Sequence, residues 1–228
     1  MHKQILNQLI KDRADKRAVA LATNLVTGEE VVLYPSGAPK NELEQQVNIA
    51  LREDRARTVE TAEGEVFINV FNPPLRLLIA GAVHIAQPLA RMAALTGYDV
   101  TIIDPRRAFA TADRFPGVTL LSEWPDAGVA ALQPDARTAI VTLTHDPKLD
   151  DAALHTALNS DSFYIGCLGS KKTHAARLER LRMAGFGEAA LARIHGPVGL
   201  AIGAKSPAEI AISILAQLTA TLRGGAVS

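Results

Sequence analysis

Three short segments of the chain combine backbone freedom, hydroxyls, imidazoles and cations in patterns that suit a small anionic ligand. Gly81-Ala82-Val83-His84-Ile85-Ala86 fits the first and third small-residue positions of the G-x-G-x-x-G/A dinucleotide turn. Val83 occupies the second, where glycine would let backbone approach a pyrophosphate. Asp104 follows about 20 positions later, where an acidic residue accepts ribose hydroxyls. Pro105-Arg106-Arg107 places two cations beside it, either for phosphate or for solvent. Thr144-His145-Asp146-Pro147 supplies a second imidazole after His84, and its carboxylate either fixes that imidazole or caps a turn. Gly169-Ser170-Lys171-Lys172-Thr173-His174 opens a helix with a hydroxyl and two ammonium groups, a phosphate cradle at the positive helix end. Lysine at a helix start costs about 0.3–1 kcal/mol, and a bound anion reverses that sign.

Other chemistries find less support. The G-x-x-x-x-G-K-[ST] spacing is absent, which argues against P-loop nucleotide hydrolysis. No third His, Cys or carboxylate joins His84 and His145 at a diagnostic spacing, so no protein-bound metal is predicted. The single cysteine, Cys167, lies in the apolar run Phe163-Tyr164-Ile165-Gly166-Cys167-Leu168. It reads as a buried core thiol. A thiolate role is the competing reading, because the strand end lies near the candidate site.

These groups need a scaffold, and the hydrophobic pattern predicts one. From residue 75 onward short apolar runs alternate with helical stretches. Strands are expected at 75–80, 98–103, 139–143 and 163–168, with a weaker one at 118–121. Helices are expected at 87–96, 150–159 and 171–184, and Ser206-Pro207-Ala208-Glu209 announces the last helix with an N-cap serine, a first-position proline and a glutamate at N3. Apolar runs without alternation indicate strands covered on both faces, hence a parallel, doubly wound, Rossmann-like sheet. Ligands then bind beyond the carboxyl ends of the strands, where the three segments fall. Residues 1–72 read as a small α+β domain, with helical spacing at Ile5, Leu6, Leu9 and Ile10, a hairpin over 18–34, a helix through Leu43–Leu51 and a strand at 66–71. Asn72-Pro73-Pro74 is a stiff linker, which sets the second domain at 73–228.

Composition sets limits on partners. Of 228 residues, 24 are Lys or Arg and 24 Asp or Glu, so the formal charge is zero and a polyanion such as nucleic acid is not an expected partner. With 48% hydrophobic and 21% charged residues the chain is globular rather than disordered. No apolar run approaches the roughly 18 residues that span a bilayer. The N-terminal stretch lacks a signal-peptide pattern, and one cysteine excludes an intrachain disulfide. A cytoplasmic protein without membrane contact is expected.

Taken in order, several blocks resemble the XdhC/CoxI family: Gly81-Ala82-x-His84-x-Ala86-Gln87, Asp104, Thr144-His145-Asp146-Pro147-Lys148-Leu149-Asp150, Tyr164-Ile165-Gly166-x-Leu168-Gly169-Ser170-Lys171-Lys172-Thr173-His174, and Ile194-His195-Gly196-Pro197-Val198-Gly199-Leu200 continuing to Ala211. The resemblance covers about two-thirds of the chain, and it implies an accessory chaperone rather than an enzyme. Such a protein binds molybdenum cofactor, as molybdopterin or its cytosine dinucleotide. It assists sulfuration with a cysteine desulfurase and delivers the cofactor to an apo molybdenum hydroxylase of the xanthine dehydrogenase or CO dehydrogenase type, generally as a homodimer. The cofactor-binding residues expected here are Gly81, Ala82, His84, Ala86, Asp104, Arg106, Thr144, His145, Asp146, Gly169, Ser170, Lys171 and Lys172. Three features depart from the family pattern: Val83 replaces glycine, Ala201 stands where many members carry aspartate, and Ser36-Gly37-Ala38-Pro39-Lys40 replaces an N-terminal Gly-Gly-Cys-x-Glu element. The competing reading is an NAD(P)-binding oxidoreductase or redox sensor using the same cleft.

Overall fold

The structure is a computed structural model that describes residues 2–225. Two compact units make up the chain, Met1–Pro73 and Pro74–Ser228. In the first, α1 (Lys3–Ala14), β1 (Val19–Asn24), β2 (Glu30–Leu33), α2 (Glu42–Glu53), β3 (Arg57–Thr61) and β4 (Gly64–Phe71) form an antiparallel sheet of order β2-β1-β4-β3 with helices on its two faces. Val47, Ala50 and Leu51 of α2 bury against Ala20, Ala22, Val66 and Ile68, while Leu9 of α1 packs on Val19 and Leu21. Strand β3 was not expected from the sequence. Its run Arg57-Thr-Val-Glu-Thr has one apolar residue, and at this sheet edge backbone pairing with β4 supplies what side-chain burial does not.

The second unit contains β5 (Leu75–Ala80), α3 (Ala86–Leu95), β6 (Tyr98–Ile103), β7 (Thr119–Leu121), α4 (Pro125–Ala131), β8 (Thr138–Thr142), α5 (Pro147–Leu158), β9 (Tyr164–Cys167), α6 (Lys171–Met183), α7 (Glu188–Leu191), β10 (Ile194–His195) and α8 (Pro207–Arg223). All its strand pairs are parallel, in the order β10-β9-β8-β5-β6-β7. The expected Rossmann-like fold class is therefore found, since this is the dinucleotide-fold strand order with its reversal between β5 and β8. Strands β8 and β9 are buried throughout, as two covered faces require. One face carries Leu77, Ile79, Val100, Ile102 and Val141 against α3 and α8. The other carries Leu78, Ala80, Ile103, Ile140 and Ile165 with side chains of α4, α5, α6 and α7. Each Val, Leu or Ile side chain among them contributes about 1.5–3 kcal/mol on burial.

Element ends follow local chemistry. The helix expected from residue 150 begins at Pro147, because Asp146 caps it by accepting from the Lys148 N–H (2.9 Å) and proline suits the first position. Short α4, α7 and β10 were not anticipated; each is too brief for a periodic signal. The α8 capping box forms as the sequence indicates: Glu209 N–H donates to Ser206 Oγ (3.3 Å), and Ser206 N–H donates to Glu209 Oε2 (2.8 Å). Ser206→Ala should therefore lower the unfolding free energy by about 1 kcal/mol. Urea titration should show this as a lower midpoint at constant slope, and an unshifted midpoint would show that α8 does not depend on its cap.

Candidate functional site

Four of the strands that precede the candidate segments, β9, β8, β5 and β6, are consecutive in the sheet. Their carboxyl-end loops thus line one edge in the order Gly169–Ser170, Thr144–Asp146, Gly81–Ala86 and Asp104–Arg106. At the usual strand spacing the outer two lie about 14 Å apart. The middle two flank the reversal of strand order, where α/β sheets take their ligands. They meet closely. Gly81 has φ +118°, and a Cβ built on it would stand 2.7 Å from Thr144 Cγ2. Glycine is required there by the backbone angle and by the neighbouring loop, whatever the ligand.

Asp104 closes β6 fully buried. Its Oδ2 accepts the Ala82 N–H (2.8 Å) and Arg106 Nη2 (2.8 Å), and its Oδ1 accepts the Arg106 N–H and Nε, both at 2.9 Å. Burial pushes this carboxyl up, but the Arg106 guanidinium and the two backbone donors outweigh it and hold it below the ordinary carboxylate range. Both oxygens expected to receive a ribose are engaged within the protein. Arg106 is likewise held, and its guanidinium lies 4.7 Å from the Phe109 ring centre. A cavity of about 200 Å³ opens beside it, lined by Ala82, Val83, His84, Arg106, Phe109 and Arg114. His84 is exposed in the turn before α3, and Ala86 is the buried first residue of that helix. Phe109 and Arg114 were not anticipated, because the long segment between β6 and β7 has no motif.

In the β8–α5 loop His145 is exposed with φ +61°, a left-handed angle that costs a non-glycine residue about 1–2 kcal/mol. Strain of this kind gathers at ligand sites. Asp146 serves as the helix cap. Thr144 donates its N–H (3.1 Å) and its hydroxyl (2.7 Å) to Asp150 Oδ1. In the β9–α6 loop Ser170 caps α6 by accepting the Thr173 N–H (3.1 Å), Lys171 and Lys172 are exposed, and the first turn has no acidic residue. Beneath it lies Arg177, 2% exposed, whose Nη2 donates to Leu168 O (3.0 Å) and stands 3.6 Å from Asp150 Oδ2.

The family model described as the XdhC Rossmann domain matches residues 77–218. The chain belongs to this family. It is 33% identical over 77% of its length to a Bacillus subtilis protein named as a probable xanthine dehydrogenase component. To the molybdenum cofactor insertion chaperone PaoD of Escherichia coli it is 32% identical over 81% of its length. It spans about half of each relative, 53% and 54%. A crystal structure described as a xanthine dehydrogenase from Bacillus halodurans shares the fold, with a TM-score of 0.72 at 24% identity over 97% of this chain and 67% of that one.

In this member of the XdhC family, Cys167 is fully buried at the end of β9, its sulfur 2.7 Å from Thr142 Oγ1. Burial pushes the thiol up to about 12, which leaves it a poor nucleophile. Among the described residues no group of three His, Cys, Asp or Glu side chains is placed to hold a metal ion, and no helix is long and apolar enough to cross a membrane.

These environments set the expected reactivity and titration. Iodoacetamide should leave Cys167 unmodified in native protein and alkylate it in urea; rapid native alkylation, read by intact mass, would contradict the burial. The two carboxylates should titrate stability in opposite senses. Asp104, with its folded pKa lowered, contributes stability at neutral pH that is lost as pH falls through the folded value. Asp150 is raised, chiefly by burial, which the Thr144 bonds and the charges of Arg177 and His145 only partly offset. Its contribution is complete below the unfolded value and declines as pH rises through the folded one. Urea unfolding across about pH 3 to 8 should show Asp104→Asn flattening the acid limb and Asp150→Asn removing the loss at higher pH.

Proposed function

We propose that this chain is a molybdenum-cofactor chaperone unit that holds its cargo along the carboxyl edge of the parallel sheet and passes it to an apo molybdenum hydroxylase. The observation that carries this reading is the α6 N-terminus: two exposed lysines, a capping serine and no acid in the first turn of a 13-residue helix, in a chain of the XdhC family. The phosphate end of molybdopterin, or the diphosphate of its cytosine dinucleotide form, would lie on Gly169, Ser170, Lys171 and Lys172. Thr144, His145 and Asp146 would flank the pterin. Gly81, Ala82, His84 and Ala86 would meet the far end, with Asp104 acting indirectly through Ala82 and Arg106. The chain would act as a cytoplasmic carrier without turnover, most simply as a homodimer. Sulfuration would need sulfur mobilised outside this chain by a cysteine desulfurase, since Cys167 is buried and weakly acidic. The NAD(P) reading is the weaker one, because the Ala82 amide and both Asp104 oxygens are already bonded to each other or to Arg106.

Anaerobic mixing with molybdenum cofactor, followed by gel filtration and pterin fluorescence, tests the proposal, with NAD and NADP as parallel arms. Retained pterin is expected. Loss of pterin, or retention of NAD(P) instead, would overturn it. Lys171→Ala combined with Lys172→Ala should weaken retention by on the order of tenfold and make it less salt-dependent. His145→Gly should keep or raise stability by relieving the left-handed backbone while lowering retention, and equal retention would remove His145 from the site.

A further inference from the structure

The least comfortable polar group in the second unit is the Asp150–Arg177 pair. Both side chains are essentially buried, at 1% and 2% exposure, yet their closest approach is 3.6 Å. Asp150 Oδ2, Arg177 Nε and Arg177 Nη1 have no hydrogen-bond partner, and neither does the neighbouring His174 Nδ1. A buried ion pair is weak evidence for stability, and an apolar pair of similar volume is often as stable or more so. Position makes the arrangement stranger still. Arg177 lies in α6, and its side chain runs back toward the helix N-terminus, as helical side chains do. Its Nη1 stands 3.7 Å from where a Cβ of Gly169 would be. A third cation therefore sits near the positive end of a helix that already begins with Lys171 and Lys172, offset only by Asp150 at 3.6 Å and Asp151 at 4.0 Å, neither within hydrogen-bond distance.

The bonds of the pair lead to both neighbouring loops. Arg177 holds the Leu168 carbonyl, immediately before Gly169 and Ser170. Asp150 holds the N–H and hydroxyl of Thr144, immediately before His145. We propose that Asp150 and Arg177 are positioning residues: together they tie the β8–α5 and β9–α6 loops from below into one receptor of fixed spacing for a phosphate-bearing ligand. This rests on reading those loops as the ligand site. The remaining charged and titratable neighbours are His174 and Arg180 on α6, Asp146 and Asp151 on α5, His145, Cys167 and Arg106. Arg180 is taken by Asp151 (2.6 and 3.0 Å), so it does not substitute for Arg177.

The test uses the full chain, wild type and Arg177→Met, Arg177→Lys and Asp150→Asn, with hydrogen exchange at single amides and calorimetric titration of inorganic pyrophosphate. Arg177→Met should speed exchange at the Thr144 amide by about tenfold, although residue 177 makes no bond to Thr144. Arg177→Lys should restore part of it. Asp150→Asn keeps an acceptor for Thr144 and should instead speed exchange at Leu168, across the pair. A purely local role would confine each effect to its own loop, and that result overturns the proposal. Should Arg177→Met fail to fold, Arg177→Lys and Asp150→Asn decide alone, since wild-type exchange at the opposite loop in both would overturn it. Pyrophosphate separates the two readings. Cross-loop exchange without pyrophosphate binding by wild type would sink the anion site and keep the tie, while wild-type binding with loop-confined exchange would sink the tie and keep the site.

Discussion

At the reversal of strand order, β5 and β8 approach so closely that only a hydrogen fits at residue 81 beside the Thr144 side chain. That contact governs the rest of the edge. It sets the two loops against each other at the base of the edge, while a cavity of about 200 Å³ remains open between the β5 turn and Arg106. Two of the loop amides are bonded internally: the Ala82 N–H goes to Asp104, and the Thr144 N–H goes to Asp150. A positive pole stands at the start of α6, with Lys171 and Lys172 exposed and no acid in the first turn.

The two buried carboxylates therefore perform the same task on either side of the reversal and differ in how it is balanced. Asp104 receives four donors, among them a guanidinium bonded twice, so its charge is well compensated. Asp150 receives two from Thr144 on one oxygen and faces a guanidinium at 3.6 Å across the other. Burial works upward on both; the number and directness of the charge-assisted bonds outweigh it at Asp104, whereas at Asp150, the more deeply buried of the two, they do not.

Much of this was legible in the residues. Apolar runs such as Leu75–Ala80 and Tyr98–Ile103 announce buried parallel strands, and Ser206-Pro207-Ala208-Glu209 announces its helix, because each is a local device whose signal lies in adjacent positions. The strand-end segments follow from the sheet type alone. What sequence did not carry is the orientation of side chains from distant elements. Asp104 looked like a ribose acceptor, and only folding shows it turned toward Ala82. Arg177 sits in a polar helix whose spacing gives no hint that one of its many charges is the buried one. His145 carries no mark of its left-handed backbone, which lies between the Thr144–Asp150 bonds and the Asp146 cap.

Zero net charge takes on a different meaning once the pairs are placed. Arginine is committed to acids, where its planar fork and permanent charge suit fixed acceptors: Arg106 on Asp104, Arg76 on Asp135 and Arg180 on Asp151. Lysine stands outside, at Lys171 and Lys172, on flexible stems and in a turn without acids. Balanced arginines lower the total without weakening the pole that a ligand meets. A chain can thus be neutral overall and still present one small cationic end, provided its remaining cations are committed to acids elsewhere. That division also sets how an anion at this end would be held. Lysines meet an anion as exposed, screened point charges, without the bidentate grip of a guanidinium.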